Sequence, residues 1–568
     1  MPKDWIVRPA SPPPPESASW ADLLGVSELT VRLLWQRGLM DMRAMDMFLS
    51  PGLRHLAQPG QWPGLDEAAR LIARSLAAGE TLAVWGDYDV DGVTSTALVL
   101  DFLRGRGFAP VAHIPDRLEH GYGMNVAGVE MLAAQGVRTL LTVDCGVADH
   151  APVARARELG MTVVVTDHHL PDGELPPAHA VCNPRLGDCP CADLAGVGVI
   201  FFVMAAVNRL LDGAPSDMRR FLDLVALGTI ADVVPLTGQN RILAKNGMLL
   251  VKDAARPGIA ALKEVSGFAP QAALTAGHVG FGLAPRINAA GRLGAARDAL
   301  DLLLAPDLDT ARPLAARLDT MNTERRREEE TIQAEALEQA EAMGDRPGFV
   351  LYAPHWHQGI IGIVASRVVD IHYRPTLLVC DDGDALKGSG RSISEVDLHA
   401  ALDACAPLLI GFGGHRQAAG LRVAPANLDA LRDAFDAAIA GQIGPTPLPP
   451  RLKVDMALGF GQVDYPLLKE LELLQPFGAG NPEPLFASPP VEVLGIRFFG
   501  KDHAALDLRD QDAGVTLRAK AWRMAKTLPD ALRGKRLKVA FTPKLDQYNG
   551  VSTIDLNVKD WLLLHGAQ

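Results

Sequence analysis

Between about residues 80 and 235, short apolar runs alternate with stretches that carry apolar residues at helical spacing. The runs at 81–85, 111–114, 139–143 and 161–166 predict buried strands. Residues 95–103, 126–134, 150–159 and 198–211 predict helices between or after them. That alternation implies an α/β fold with a mainly parallel sheet covered on both faces. A long polar helical pattern follows from 307 to about 343, and its Glu-Arg-Arg-Arg-Glu-Glu-Glu centre at 324–330 predicts a solvated connecting helix. A second, smaller α/β pattern occupies about 347–440, with strands at 349–352 and 376–380 and a helix from 359 to about 369. Residues 441–450, rich in Pro and Gly, predict a linker. Beyond it, short β patterns at 491–499, 504–508, 515–521, 537–541 and 551–556 predict a small OB-like barrel. The first 75 residues hold a proline run at 12–15 and helical patterns at 20–24 and 31–39, expected to pack onto the first domain as a lead-in. The expected organisation is therefore 1–75 lead-in, 76–306 first α/β domain, 307–345 connecting helix, 346–442 second α/β domain and 450–568 barrel.

Composition narrows the class. At 568 residues the chain exceeds one hydrophobic core. No apolar run reaches the roughly 18 residues needed to span a bilayer, and the N-terminus lacks a signal-peptide apolar region, which predicts a cytoplasmic protein. The net charge of −12 argues against coating nucleic acid by bulk charge but permits a local basic groove. From Arg451 onward there are 16 Lys+Arg against 14 Asp+Glu, so the acidic excess lies upstream. Six cysteines without framework spacing suit a reducing compartment. Cys182, Cys189 and Cys191 include no C-x-x-C pair and are expected to be free thiols rather than a zinc site.

The chemistry gathers at strand ends. The first predicted strand runs into Asp87, Asp89 and Asp91 within Trp85-Gly86-Asp87-Tyr88-Asp89-Val90-Asp91-Gly92. The third ends in Asp144-Cys145-Gly146 and the fourth in Asp167-His168-His169. In an open α/β sheet these loops share the carboxyl edge, where ligands bind. Carboxylates so close together repel unless a cation neutralises them, and a hard divalent ion is the simplest partner. A solvated acidic turn would explain the first loop alone. Asp232 lies within an apolar run, where a carboxylate is costly unless it is paired, bound to metal or capping a helix. Farther on, Gly282-Leu283-Ala284-Pro285-Arg286-Ile287-Asn288-Ala289-Ala290-Gly291-Arg292 predicts a small-residue loop bearing two arginines suited to phosphate. Lys387-Gly388-Ser389-Gly390-Arg391-Ser392 and the run 411–420, with Gly414 and His415, predict two glycine-rich loops that could grip phosphate. Tight turns between strands are the alternative.

Taken in order, the 87–92 motif, Asp144, the Asp167-His168-His169 triplet and Asp232 resemble the four motifs of the DHH phosphoesterase superfamily. The 388–392 and 413–415 segments resemble its associated second domain, and with the barrel the chain resembles the RecJ family of single-strand-specific 5′→3′ DNA exonucleases. The resemblance implies a phosphodiesterase using two divalent cations, Mn²⁺ or Mg²⁺. Carried over, Asp87 and Asp89 face one metal and Asp91 the other, Asp144 bridges them, and His168 and Asp232 complete the second site. Asp167 orients His168, and His169 touches the scissile phosphate. Ser389, Arg391 and Arg117 meet the 5′-terminal phosphate, while Arg286, Asn288, Arg292, Gly414 and His415 line the strand's path. Single-stranded DNA is the implied substrate, with a single-strand-binding protein and a RecQ-like helicase as implied partners. Two rivals remain: a DHH oligoribonuclease or nucleotide phosphatase, whose members are shorter and lack a barrel, and an inactive strand-binding scaffold, which would have lost ligands that are all present here.

Overall fold

The computed structural model describes residues 3–9, 11–57, 62–115, 123–171, 173–189, 191–292, 295–528, 530–548 and 551–564. They fall into two compact units, Ile6–Asp319 with Lys453–Gln568, and Met1–Trp5 with Thr320–Leu452.

In the larger unit, strands Leu82–Gly86 (β1), Val111–His113 (β2), Thr139–Val143 (β3), Thr162–Thr166 (β4) and Ala180–Cys182 (β5) form one sheet in the order β2-β1-β3-β4-β5. Every pairing is parallel. All residues of β1 and β3 are buried, which is why they read as unbroken apolar runs rather than alternating ones. Parallel pairing also brings the residues that follow β1, β3 and β4 to one edge. Helices Val90–Gly105 (α4), Gly196–Leu210 (α5) and Leu222–Ala231 (α6) pack against one another. Gly238–Asp253 (α7) and Ala284–Arg292 (α8) complete the helical cover relevant to the site. The 282–292 stretch, expected as a loop, is thus a helix entered through a π-helical turn at Val279–Leu283. Its alanines favour helix, and Pro285, which has no N–H to give to the preceding turn, comes directly after the π-helical turn.

The C-terminal strands Val491–Phe499 (β11), His503–Asp510 (β12), Val515–Ala521 (β13), Arg536–Tyr548 (β14) and Val551–Leu563 (β15) close into a ring, since β14 pairs with both β11 and β15 and β13 with β15. Helices Trp20–Leu24 (α1), Glu28–Gln36 (α2) and Met42–Leu49 (α3) share this barrel's core: Leu33, Leu34, Met45 and Phe48 cluster with Val491, Leu506 and Phe541. The lead-in therefore packs into the barrel, not only against the first domain. An amphipathic pattern shows that a face must be buried but not which partner buries it.

A 36-residue helix, Leu308–Met343 (α9), begins in the larger unit and ends in the smaller one. In the smaller one, Phe349–Tyr352 (β6), Thr376–Asp382 (β7), Ala385–Arg391 (β8), Leu409–Gly414 (β9) and Ala418–Val423 (β10) form a sheet in the order β9-β10-β8-β7-β6. Only β6 and β7 pair in parallel; the other neighbours are antiparallel. Helix Ile361–His372 (α10) packs on it. Both expected glycine-rich loops are largely strand. In the first, Gly388 and Gly390 are crowded by the cross-strand side chains of Leu421 and Leu377, whereas in the second Gly411 and Gly413 face open space.

Candidate metal centre and substrate residues

β1 delivers Asp87 directly, and Asp89 begins α4 as its N-cap, its Oδ1 accepting the Gly92 N–H at 3.0 Å. Asp91, in the first turn of the helix, is only 1% exposed. Its carboxylate accepts the backbone N–H groups of Gly196 (2.6 Å) and Val197 (2.9 Å) at the start of α5. Asp144 follows β3 in the left-handed region, at φ 62°, a conformation that costs a non-glycine residue of the order of 1 kcal/mol and marks a constrained site. Asp232 caps the C-terminus of α6. His168 gathers these acids: its Nε2 lies 3.1 Å from Asp144 Oδ1, 3.6 Å from Asp232 Oδ2 and 3.9 Å from Asp91 Oδ2. Three sets have ligand atoms all within 4.8 Å of one another: Asp87, Asp89 and Asp144; Asp91, His168 and Asp232; and Asp144, His168 and His169. The first two sets are joined by the 3.1 Å approach of His168 to Asp144.

The electrostatics say what is missing from such a cluster. Burial, then Asp89, pushes the Asp91 carboxyl up to about 7. Burial, then Asp91, pushes Asp232 up to about 9 and Asp144 well above the carboxylate range. Burial drives His168 the other way, to about 3, so its imidazole is neutral. Asp232 Oδ2 is buried and accepts no hydrogen bond among the described residues. Hard oxygen donors around one neutral imidazole, short of positive charge, suit divalent cations.

Asp167 behaves differently from its neighbours and from expectation. Its Oδ1 accepts the backbone N–H groups of His168 (2.7 Å) and His169 (3.0 Å) and contacts His169 Nδ1 at 2.8 Å; Oδ2 accepts the Val147 N–H at 2.9 Å. The ring it orients is therefore His169, not His168. Burial would raise the Asp167 carboxyl, but the His169 ring and the backbone N–H groups of His169 and Val147 together outweigh it and hold the group low; reciprocally, His169 is raised despite its burial.

Other residues brace the loops. Asn288 Oδ1 accepts the Val90 N–H at 3.2 Å, at the start of α4. Arg286 is nearly buried, its guanidinium donating to Asp319 (2.9 Å) and to the carbonyls of Gly282 (2.5 Å) and Val265 (3.2 Å). Arg292 ends α8, and Arg117 lies outside the described residues. In the smaller unit, Ser389 and Arg391 share β8, with an Arg391 Nη donating to Ser389 Oγ at 3.2 Å, and Gly414 and exposed His415 lie at the β9–β10 turn. Sequence reasoning missed the Asn183-Pro184-Arg185 segment after β5. Asn183 Nδ2 donates to His169 O (2.8 Å) and Arg185 Nε to His168 O (2.7 Å), fixing the histidine backbone. A fourth strand end carrying Asn and Arg was the available signal.

Comparison with known proteins agrees with this geometry. The model described as "DHH family, N-terminal domain" matches residues 81–229, "DHHA1 domain" matches 345–441 and "RecJ OB domain" matches 454–560. The single-stranded-DNA-specific exonuclease RecJ of Salmonella typhimurium is 36% identical over 93% of this chain and 95% of its own. That of Dickeya dadantii is 37% identical with the same coverage. The crystal structure of RecJ in complex with Mn²⁺ from Thermus thermophilus superposes with a TM-score of 0.84 at 32% identity, covering 98% of this chain and 79% of that one. A second structure of that protein contains Mg²⁺ and gives a TM-score of 0.79. With three domain matches in register and identity sustained across the chain, this protein belongs to the RecJ family of single-stranded-DNA-specific exonucleases.

Proposed function

We propose that the chain hydrolyses phosphodiester bonds of single-stranded DNA from the 5′ end to mononucleotides, using two divalent cations, Mn²⁺ or Mg²⁺, in DNA repair and recombination. The observation that carries this reading is the convergence of Asp87, Asp89, Asp91, Asp144, His168 and Asp232 on one sheet edge, with Asp91, Asp144 and Asp232 raised too far to ionise together unaided. Asp87 and Asp89 would hold one ion, Asp91, His168 and Asp232 the other, with Asp144 between. Bound there, such cations activate water and stabilise charge on the leaving oxygen.

The chain's own residues supply the rest. The Asp167 carboxylate raises the His169 pKa and holds its half-exposed ring, which is proposed to face a phosphate oxygen. The α5 N-terminus and the Asn183–Arg185 segment hold Asp91 and the histidines in position. Ser389, Arg391, Gly414, His415 and Arg117 are proposed to receive the 5′-terminal phosphate and adjoining backbone, the guanidinium offering bidentate contacts. Asn288 and Arg292 are proposed to contact the strand. Arg286, committed to Asp319 and two carbonyls, is proposed to brace the helix that carries them. A single-strand-binding protein and a RecQ-like helicase are the proposed partners, and the cytoplasm the proposed location; no helix among the described residues is long and apolar enough to cross a membrane.

Hydrolysis of a single strand and its duplex with Mn²⁺, with Mg²⁺ and with EDTA tests the reading. Metal-dependent digestion of the single strand alone supports it; tight strand binding without digestion returns the scaffold.

A further inference from the structure

The segment that leaves Asp232 is held by the C-terminal domain. α6 ends at Asp232, and the next residue, Val233, adopts φ 61°. A β-branched residue in the left-handed region is strained and persists only where its surroundings fix it. Two residues on, Pro235 and Leu236 meet a tight hairpin that follows helix Tyr465–Leu473 (α11). Gly478 and Asn481 exchange both backbone hydrogen bonds, at 2.9 and 3.1 Å, and the turn they close aims the Ala479 carbonyl outward. That carbonyl accepts the Leu236 N–H at 2.8 Å.

The hairpin cannot be bulkier where it touches. Gly480 has φ 69°, and a Cβ there would lie 2.9 Å from Pro235 Cβ; one on Gly478 would lie 2.7 Å from Leu236 Cδ1. Behind the turn, fully buried Asn481 donates to the Leu474 and Pro476 carbonyls at 2.8 Å and accepts from Arg37 Nε at 3.0 Å. Arg241 of α7 donates to the carbonyls of Leu473 and Leu474, each at 2.9 Å, capping α11 from the catalytic side. Hydrogen bonds and close contacts therefore link the hairpin, α7 and the segment that leaves Asp232.

We infer that the Gly478–Asn481 hairpin is a positioning element for Asp232, coupling the strand-binding domain to the metal centre. The inference rests on the proposed two-metal reading. It separates two roles for the C-terminal domain: gripping DNA, which acts on KM for long strands, and holding Asp232, which acts on metal affinity and kcat even for a trinucleotide.

Gly480→Ala, purified as the full chain, is compared with Val539→Ala, a barrel-core control outside the hairpin. Mn²⁺ affinity is measured by calorimetry without DNA, and kcat and KM on a trinucleotide and a long strand. The expected result is a roughly tenfold loss of Mn²⁺ affinity and of trinucleotide kcat in Gly480→Ala, as for residues that orient metal ligands, with both unchanged in Val539→Ala. If Gly480→Ala does not accumulate, Ala479→Gly, which loosens the turn without adding an atom, is expected to lose both in the same direction. Unchanged Mn²⁺ affinity and trinucleotide kcat, with only long-strand KM affected, overturn the inference. Absence of nuclease activity in the unmodified protein would instead count against the proposed function, and the Mn²⁺ titration would still judge the hairpin.

Discussion

His168 is nearly buried with its pKa pushed down to about 3, whereas His169 beside it is half-exposed with its pKa raised. Adjacent identical side chains are thus shifted in opposite directions, in keeping with the ligand role proposed for His168 and the phosphate-facing role proposed for His169. Replacing Asp144, which lies between the two ligand sets, by Ala should cut hydrolysis by about 10³-fold or more, corresponding to several kcal/mol of lost charge stabilisation; a trinucleotide assay at saturating Mn²⁺ measures it. Arg391→Ala should leave metal binding intact and reduce turnover of 5′-phosphorylated strands more than of 5′-hydroxyl strands; equal loss on both would remove Arg391 from the terminal-phosphate site. The acids also predict a pH dependence of stability. A carboxyl raised to about 7 (Asp91) or about 9 (Asp232) binds more protons folded than unfolded, so stability falls as pH climbs toward those values. His168 opposes this only between about 3 and its ordinary 6.5. Metal-free protein should therefore lose a few degrees of Tm between pH 6.5 and 9, and saturating Mn²⁺ should flatten that slope; thermal melts with EDTA and with Mn²⁺ check both.

At the scale of elements, the centre depends on a helix start as much as on its ligands. The first N–H groups of α5 hold Asp91, and Gly196 lies against Asp144, where a Cβ would sit 2.7 Å from Asp144 Cβ. Gly196→Ala should push α5 off both acids and cost about tenfold in Mn²⁺ affinity, read by calorimetry with far-UV circular dichroism unchanged. The three strand ends bearing acids were legible because buried parallel strands announce themselves as apolar runs, and an acid at each end is hard to produce by chance. The supporting contacts were not. Nothing in the sequence distinguishes Gly196 from other glycines, or says that Asp167, one residue from His168, turns to His169 instead. The expected loops at 282–292 and 387–392 failed for a related reason: small residues permit close approach in a loop, a helix or a strand alike, and only the neighbours decide.

At the scale of the molecule, the barrel was visible in its alternating strands, but its shared core was not. Leu33 and Leu34 of α2 are fully buried among barrel residues more than 400 positions away. Removing residues 450–568 would expose that core as well as free Asp232, so a truncated chain should aggregate instead of behaving as a smaller enzyme; size-exclusion chromatography reports the outcome. Strand grip is better probed by substitutions on the barrel surface. Two cations of the barrel are already partly spent: Arg518 and Lys520 pair with Asp546 and Asp555 at 2.8–3.0 Å.

The most direct test of the account is digestion of single-stranded DNA labelled at either end, with Mn²⁺, with a duplex control and with Asp144→Ala alongside. Immediate release of labelled mononucleotide from the 5′-labelled strand, late release from the 3′-labelled one and none from the variant is the predicted result. Early release from the 3′ end, or cleavage confined to the shortest oligonucleotides, would contradict it.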